Sequence, residues 1–186
     1  MSLRRAATLG LVLGAIVVTA VLLRAGGDGD PTVARVGGKP IARSQLSAVV
    51  DHFRIEAKGE GKPFPDEGSA AFERLRNRLL GLLVYRAELR QAAARLRVGV
   101  TRLEVLKRLQ SSGGADPEGT DRDSFEYGSA ETQLLYERIF EQVTRGVTAP
   151  TPAELAARRN EAMGRYVARL KRETQVRYEP GYAPGP

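Results

Sequence analysis

The sequence predicts a mainly α-helical domain whose first and last segments meet in a small sheet, with a membrane-spanning helix in front of it. Three observations predict this. Ala70–Arg97 carries Phe72, Leu75, Leu79, Leu83, Leu89 and Leu96 at helical spacing. Two short strand-like stretches, Val33–Val36 and Val176–Tyr178, bracket the helical region. Ala6–Leu23 is an uncharged run between Arg5 and Arg24.

The N-terminal run, as a helix, spans roughly 27 Å, close to the ~30 Å hydrocarbon core of a bilayer. A retained anchor and a cleaved signal peptide compete for it. A signal peptide calls for a short apolar core and a small-x-small cleavage site. Here the run is long, Arg24 occupies the cleavage region, and Leu23 is a poor residue two positions before a cut at Ala25. The expectation is therefore a single-span anchor over residues 1–24. Arg4 and Arg5 hold its N-terminus in the cytoplasm and send the rest of the chain outside. Cleavage would instead release a secreted or periplasmic protein, and either outcome exports the domain.

Residues 25–32, rich in Gly and Asp, read as a flexible tether. Val33–Val36 is then a strand, Gly37-Gly38 supplies the positive-φ pair of a tight hairpin, and Lys39–Ile41 returns. Pro40 cannot donate to a ladder, so the return strand lies at an edge. Ser44 is the expected N-cap of a first helix with Leu46, Val49, Val50 and Phe53 on one face, ending at Gly59. Lys58–Ser69 is a loop, and Ser69 caps the long helix. The middle of that helix, Leu79–Tyr85, is apolar on nearly every side, so it should be covered on every side. Gly99 is its expected left-handed terminator.

Thr101-Arg102-Leu103-Glu104 is a capping box for a short helix through Leu106 and Leu109, with Val100 and Val105 as its hydrophobic staple. Ser111–Arg122 reads as a mobile loop. A further helix is expected from about Ser129 to Arg145, with Leu135, Ile139, Phe140 and Val143 inward and Gly146 as its stop. Thr151-Pro152-Ala153-Glu154 opens the last helix with an N-cap, a Pro at the first helical position and a capping Glu. Leu155, Met163, Tyr166, Val167 and Leu170 share one of its sides. Val176–Tyr178 then adds a third strand to a hairpin that would be marginal alone. The domain so defined covers residues 33–182, with a tail at 183–186.

At 186 residues the chain has room for one ordinary domain and an appendage. It has no cysteine, which excludes disulfides, thiol catalysis and cysteine-type zinc sites. Its formal charge of +7 allows nucleic acid, anionic membrane or acidic partners. The basic residues of the last helix, Arg158, Arg165, Arg169 and Lys171, form a solvated face without aromatic stacking partners, so no nucleic-acid partner is expected. His52 is the only histidine, too few for a His-based metal pair. The acidic residues near Asp66 and Asp116–Asp123 lack the calcium-loop pattern. No base is placed beside a Ser or Thr by any motif. No catalytic residue, metal or cofactor is expected.

The order of parts resembles a known family. A short strand, Gly37-Gly38, Ile41 and a helix look like the opening of SurA/PrsA/PpiD-type chaperones. Leu79–Ala94 followed by Val98-Gly99-Val100-Thr101 and Glu104-Val105 is similar to that family's long helix and G-x-T-x-x-E-V signature. Gln175–Tyr182 resembles its closing strand. Full-length members usually insert a parvulin prolyl isomerase domain of on the order of 90 residues before the last helix. Here only Val147–Pro152 separates the last two helices. The resemblance thus implies a chaperone module that binds unfolded or newly exported polypeptides without prolyl isomerisation. Large apolar residues Phe53, Phe64, Phe72, Leu75, Tyr127 and Phe140 are the candidate peptide-binding residues. An adaptor for one folded partner and a diverged isomerase are the competing functions.

Overall fold

The computed structural model describes residues 29–112 and 121–183. The elements run β1 (Thr32–Val36), β2 (Lys39–Ala42), α1 (Arg43–Gly59), α2 (Ala70–Leu96), α3 (Arg102–Ser111), α4 (Phe125–Thr144), α5 (Pro152–Glu173) and β3 (Val176–Tyr178). The described part is thus mainly helical with one small sheet. The anchor expected at residues 1–24, the first half of the tether and most of the Ser111–Arg122 loop lie outside the described residues. Among the described residues no helix is long and apolar enough to cross a membrane.

The sheet has the order β2-β1-β3, all antiparallel. Gly37 and Gly38 both have positive φ, 55° and 82°, which lets two residues close the hairpin. Gly37 also leaves room for the Gln91 amide. A Cβ there would lie 2.5 Å from Gln91 Oε1, and the Gln91 amide donates to the Val36 carbonyl at 2.7 Å. The hairpin is thereby tied to α2. Pro40 falls on the edge strand, where its missing N–H leaves no central ladder bond unmade. β3 completes the sheet through Ala34↔Tyr178 and Val36↔Val176, and Gly37 N–H donates to Gln175 O at 2.8 Å. The two ends of the described domain therefore meet in one ladder. Val33, Ala34 and Val36 are fully buried as a result.

α2 is the central element. Its first half packs Leu79, Leu80 and Val84 against the sheet and α1, and its second half packs Leu89, Ala92 and Ala93 against α4 and α5. A smaller core joins α3 to the start of α4 through Val105, Leu109, Tyr127 and Ala130. Ser69 caps α2 by accepting from Phe72 N–H at 3.1 Å. The capping box at Thr101 and Glu104 forms in both directions. At α5 Thr151 accepts from Glu154 N–H at 3.3 Å with Pro152 in the first turn, a cap in one direction.

Four local expectations are corrected. α1 begins one residue before Ser44. Gln45 accepts from the Ala42 N–H at 2.9 Å, while the Ser44 hydroxyl binds the Asp30 carboxylate. α2 ends at Arg97 and not Gly99. Arg97 takes φ 55°, Val98 N–H reaches Ala93 O at 2.9 Å, and Arg97 N–H reaches Ala94 O at 3.2 Å. This is a Schellman closure whose apolar follower, Val98, packs into the α2–α5 core. That packing places an ordinary residue where glycine is usual.

α4 begins at Phe125, about one turn before Ser129, because Ser124 accepts from Tyr127 N–H at 3.1 Å. Finally, the apolar middle of α2 is not covered all round. Leu82 and Leu83 are half-buried and Tyr85 is 37% exposed. Among the described residues, α4 approaches α2 at Gly128 and leaves the Leu82–Tyr85 face with an open side.

Candidate functional site

The uncovered face of α2 forms one wall of a groove of about 320 Å³, and α4 forms the other. Leu82, Tyr85 and Arg86 come from α2. Ser129, Thr132, Gln133 and Tyr136 come from α4. The spacings are helical on both sides, so each set is a continuous stripe. Tyr85 and Tyr136, 37% and 39% exposed, are apolar rings left in contact with water. Burial raises the Tyr85 pKa, with smaller contributions from Tyr136 and Glu88.

Arg86 lies in the same groove and is 6% exposed. Its Nη2 donates to Ser129 Oγ at 2.6 Å and to the Phe125 carbonyl at 3.3 Å. The guanidinium sits 4.8 Å from the centre of the Phe125 ring. Gly128 makes this position possible, since a Cβ there would stand 2.7 Å from Arg86 Nη1. Arg86 Nε is buried and has no hydrogen-bond partner. Among the described residues no carboxylate forms an ion pair with Arg86. The neighbouring Glu131 is engaged by Arg90, whose Nε donates to it at 3.0 Å. Burial lowers the Arg86 pKa, the Arg90 charge lowers it further, and Glu131 opposes them. The groove thus combines apolar walls with a buried donor group of positive charge.

Of the sequence candidates, Phe53, Phe64, Phe72 and Leu75 gather half-buried beside the sheet and α1 core. Phe64 meets Phe72 edge to face at 6.4 Å, and Phe53 meets Phe125 at 5.1 Å. Tyr127 is buried in the separate α3–α4 core. Phe140 is half-buried against the α2–α5 core, and its ring stacks at 6.4 Å on Tyr136, a groove residue. The six therefore do not form one surface. His52 stacks on Phe125 at 4.3 Å, and its Nδ1 lies 3.4 Å from Glu126. Among the described residues no group of three metal-ligating side chains is assembled.

The groove residues escaped sequence reasoning for two reasons. Starting α4 at Ser129 hid the Phe125–Gly128 turn that receives Arg86. The assumption of full cover also removed Leu82 and Tyr85 from view. A signal was present for one member: Arg86 is a charged residue directly after the apolar run Leu79–Tyr85.

Two residues after Arg86 on α2, Glu88 is 9% exposed. Burial raises its pKa, and Lys171 pulls the other way. A carboxyl whose folded pKa is raised costs stability above that value. The cost vanishes once pH falls below the unfolded value, where both states are protonated. Glu88→Gln is therefore expected to raise the thermal midpoint at pH 7. The gain should shrink as pH falls through the ordinary glutamate range. Melting curves across that range check it, and a gain independent of pH would exclude the buried charge as its cause.

No curated protein matches the sequence. A family model described as SurA-like N-terminal domain matches residues 2–127, which run from the N-terminus through β1, β2 and α1–α3 into the first turn of α4. The match contains the hairpin, the long central helix, the Schellman closure and the Thr101 capping box, together with Arg86 and its α2 neighbours. On that match over most of its length, the chain belongs to the SurA-like N-terminal domain family, a chaperone-type family.

Proposed function

We propose that this protein is an exported, membrane-tethered holdase that binds unfolded or newly translocated polypeptides and performs no prolyl isomerisation. The observation that carries the reading is the α2–α4 groove, an aromatic-walled opening on the helical body of a chaperone-type family. An extended segment needs such an apolar surface without strict sequence demand. The net charge of +7 favours encounter with acidic clients at low salt. Residues 145–151 alone connect α4 to α5, which supports a module without an inserted catalytic domain at that point. Ala6–Leu23 behind Arg4 and Arg5 supports the tether and the outward orientation.

The test is aggregation suppression. The full chain in nanodiscs, at equimolar ratio to a chemically denatured client, is expected to reduce light scattering relative to empty nanodiscs. Unchanged scattering across several clients overturns the reading. Accelerated turnover in a prolyl-peptide assay would overturn the non-catalytic part of it.

A further inference from the structure

We infer that the α2–α4 groove binds the C-terminal carboxylate of an unfolded polypeptide that ends in an apolar residue, with Arg86 as the anion-binding group. The inference rests on the holdase reading and names the part of a client that the groove selects.

Arg86 is a buried cation whose neutralisation is incomplete. A charge held away from water needs a partner of opposite sign or a full set of acceptors. Arg86 has one hydroxyl, one carbonyl and one ring face, while its Nε has nothing. A guanidinium is built to take a carboxylate in two parallel hydrogen bonds. The surrounding wall is of a different kind. Leu82, Tyr85 and Tyr136 offer an apolar side chain a place to sit. A ligand that engages both carries a carboxylate and an apolar side chain close together. The last residue of a polypeptide holds the two on one Cα, whereas an internal Asp or Glu depends on a neighbouring residue for the apolar group. The volume of about 320 Å³ lies at the small end of ligand cavities, which suits a chain end.

The test uses fluorescence anisotropy with the full chain in nanodiscs and three N-terminally labelled, unstructured peptides. The first ends in Phe with a free carboxylate. The second is identical but amidated. The third is amidated and carries an internal Glu. Amidation is expected to weaken binding about tenfold, the worth of a charge-assisted hydrogen bond. Arg86→Gln should abolish the difference between the first two peptides. Gln133, exposed at the groove, supplies a second variant that does not disturb the core. Gln133→Glu should weaken the free acid severalfold and leave the amide unchanged.

Equal binding of acid and amide overturns the inference. So does an equal effect of Gln133→Glu on both peptides, which carries the test if Arg86→Gln fails to fold. Tight binding of the internal-Glu peptide overturns the assignment to a chain end. Aggregation suppression by the same preparation separates the two levels. Suppression without carboxylate dependence removes this inference and leaves the holdase reading standing.

Discussion

A chain lacking residues 175–186 is expected to lose about 3–6 kcal/mol of stability, a large part of the ~5–15 kcal/mol available to a domain. β3 is only three residues long, but β1 is central because of it. Without β3, the Val36 and Ala34 edge of β1 loses its ladder, and a two-stranded hairpin is marginal in water. Val176, Tyr178 and Tyr182 also leave the core beside the sheet and α1. Arg76, which donates to Gly181 O at 2.7 Å and lies over the Tyr182 ring at 4.8 Å, loses both partners. Urea unfolding followed by circular dichroism would show the midpoint falling sharply. An unchanged midpoint would mean that the closing strand is dispensable and that the helices alone hold the domain.

Leu80→Ala is expected to cost about 2–5 kcal/mol, the range for emptying a well-packed leucine site. Leu80 is fully buried on the face of α2 that meets the sheet and α1. Leu103→Ala is the control. Leu103 is 61% exposed on α3, and its truncation should stay within about 0.5 kcal/mol. Chemical denaturation of both variants checks the contrast. Comparable losses at the two positions would show that α2 is not the core helix described here.

The same leucine shows where reading from sequence ends. Leu79, Leu80, Leu82 and Leu83 are alike in composition and neighbourhood, yet two are buried and two are half-buried. Helical periodicity locates an apolar run and cannot tell which side a later element will leave open. Phe53, Phe64, Phe72 and Leu75 lie together because α1, the following loop and the start of α2 are close in sequence. Tyr127 and Phe140 were not separable from them, since their partners arrive from α3 and α5. Arg97 defeated the glycine rule for the same reason: Val98 is anchored by the α2–α5 core, and that contact sets the backbone of the residue before it.

Local chemistry written in the chain was enough for the Gly37-Gly38 hairpin, the edge position of Pro40 and the Ser69, Thr101 and Thr151 caps, while the pairing of the two ends followed from a marginal hairpin's need for a third strand. Each depends on a few neighbouring residues, or on alternation that only a sheet can satisfy. Tertiary structure alone decided that α4 leans on α2 at Gly128 and that Arg86 is buried there with an unmatched charge beside an open groove. The physical reason is that burial belongs to pairs of surfaces, and residues 86 and 128 become a pair only after the chain has turned back on itself.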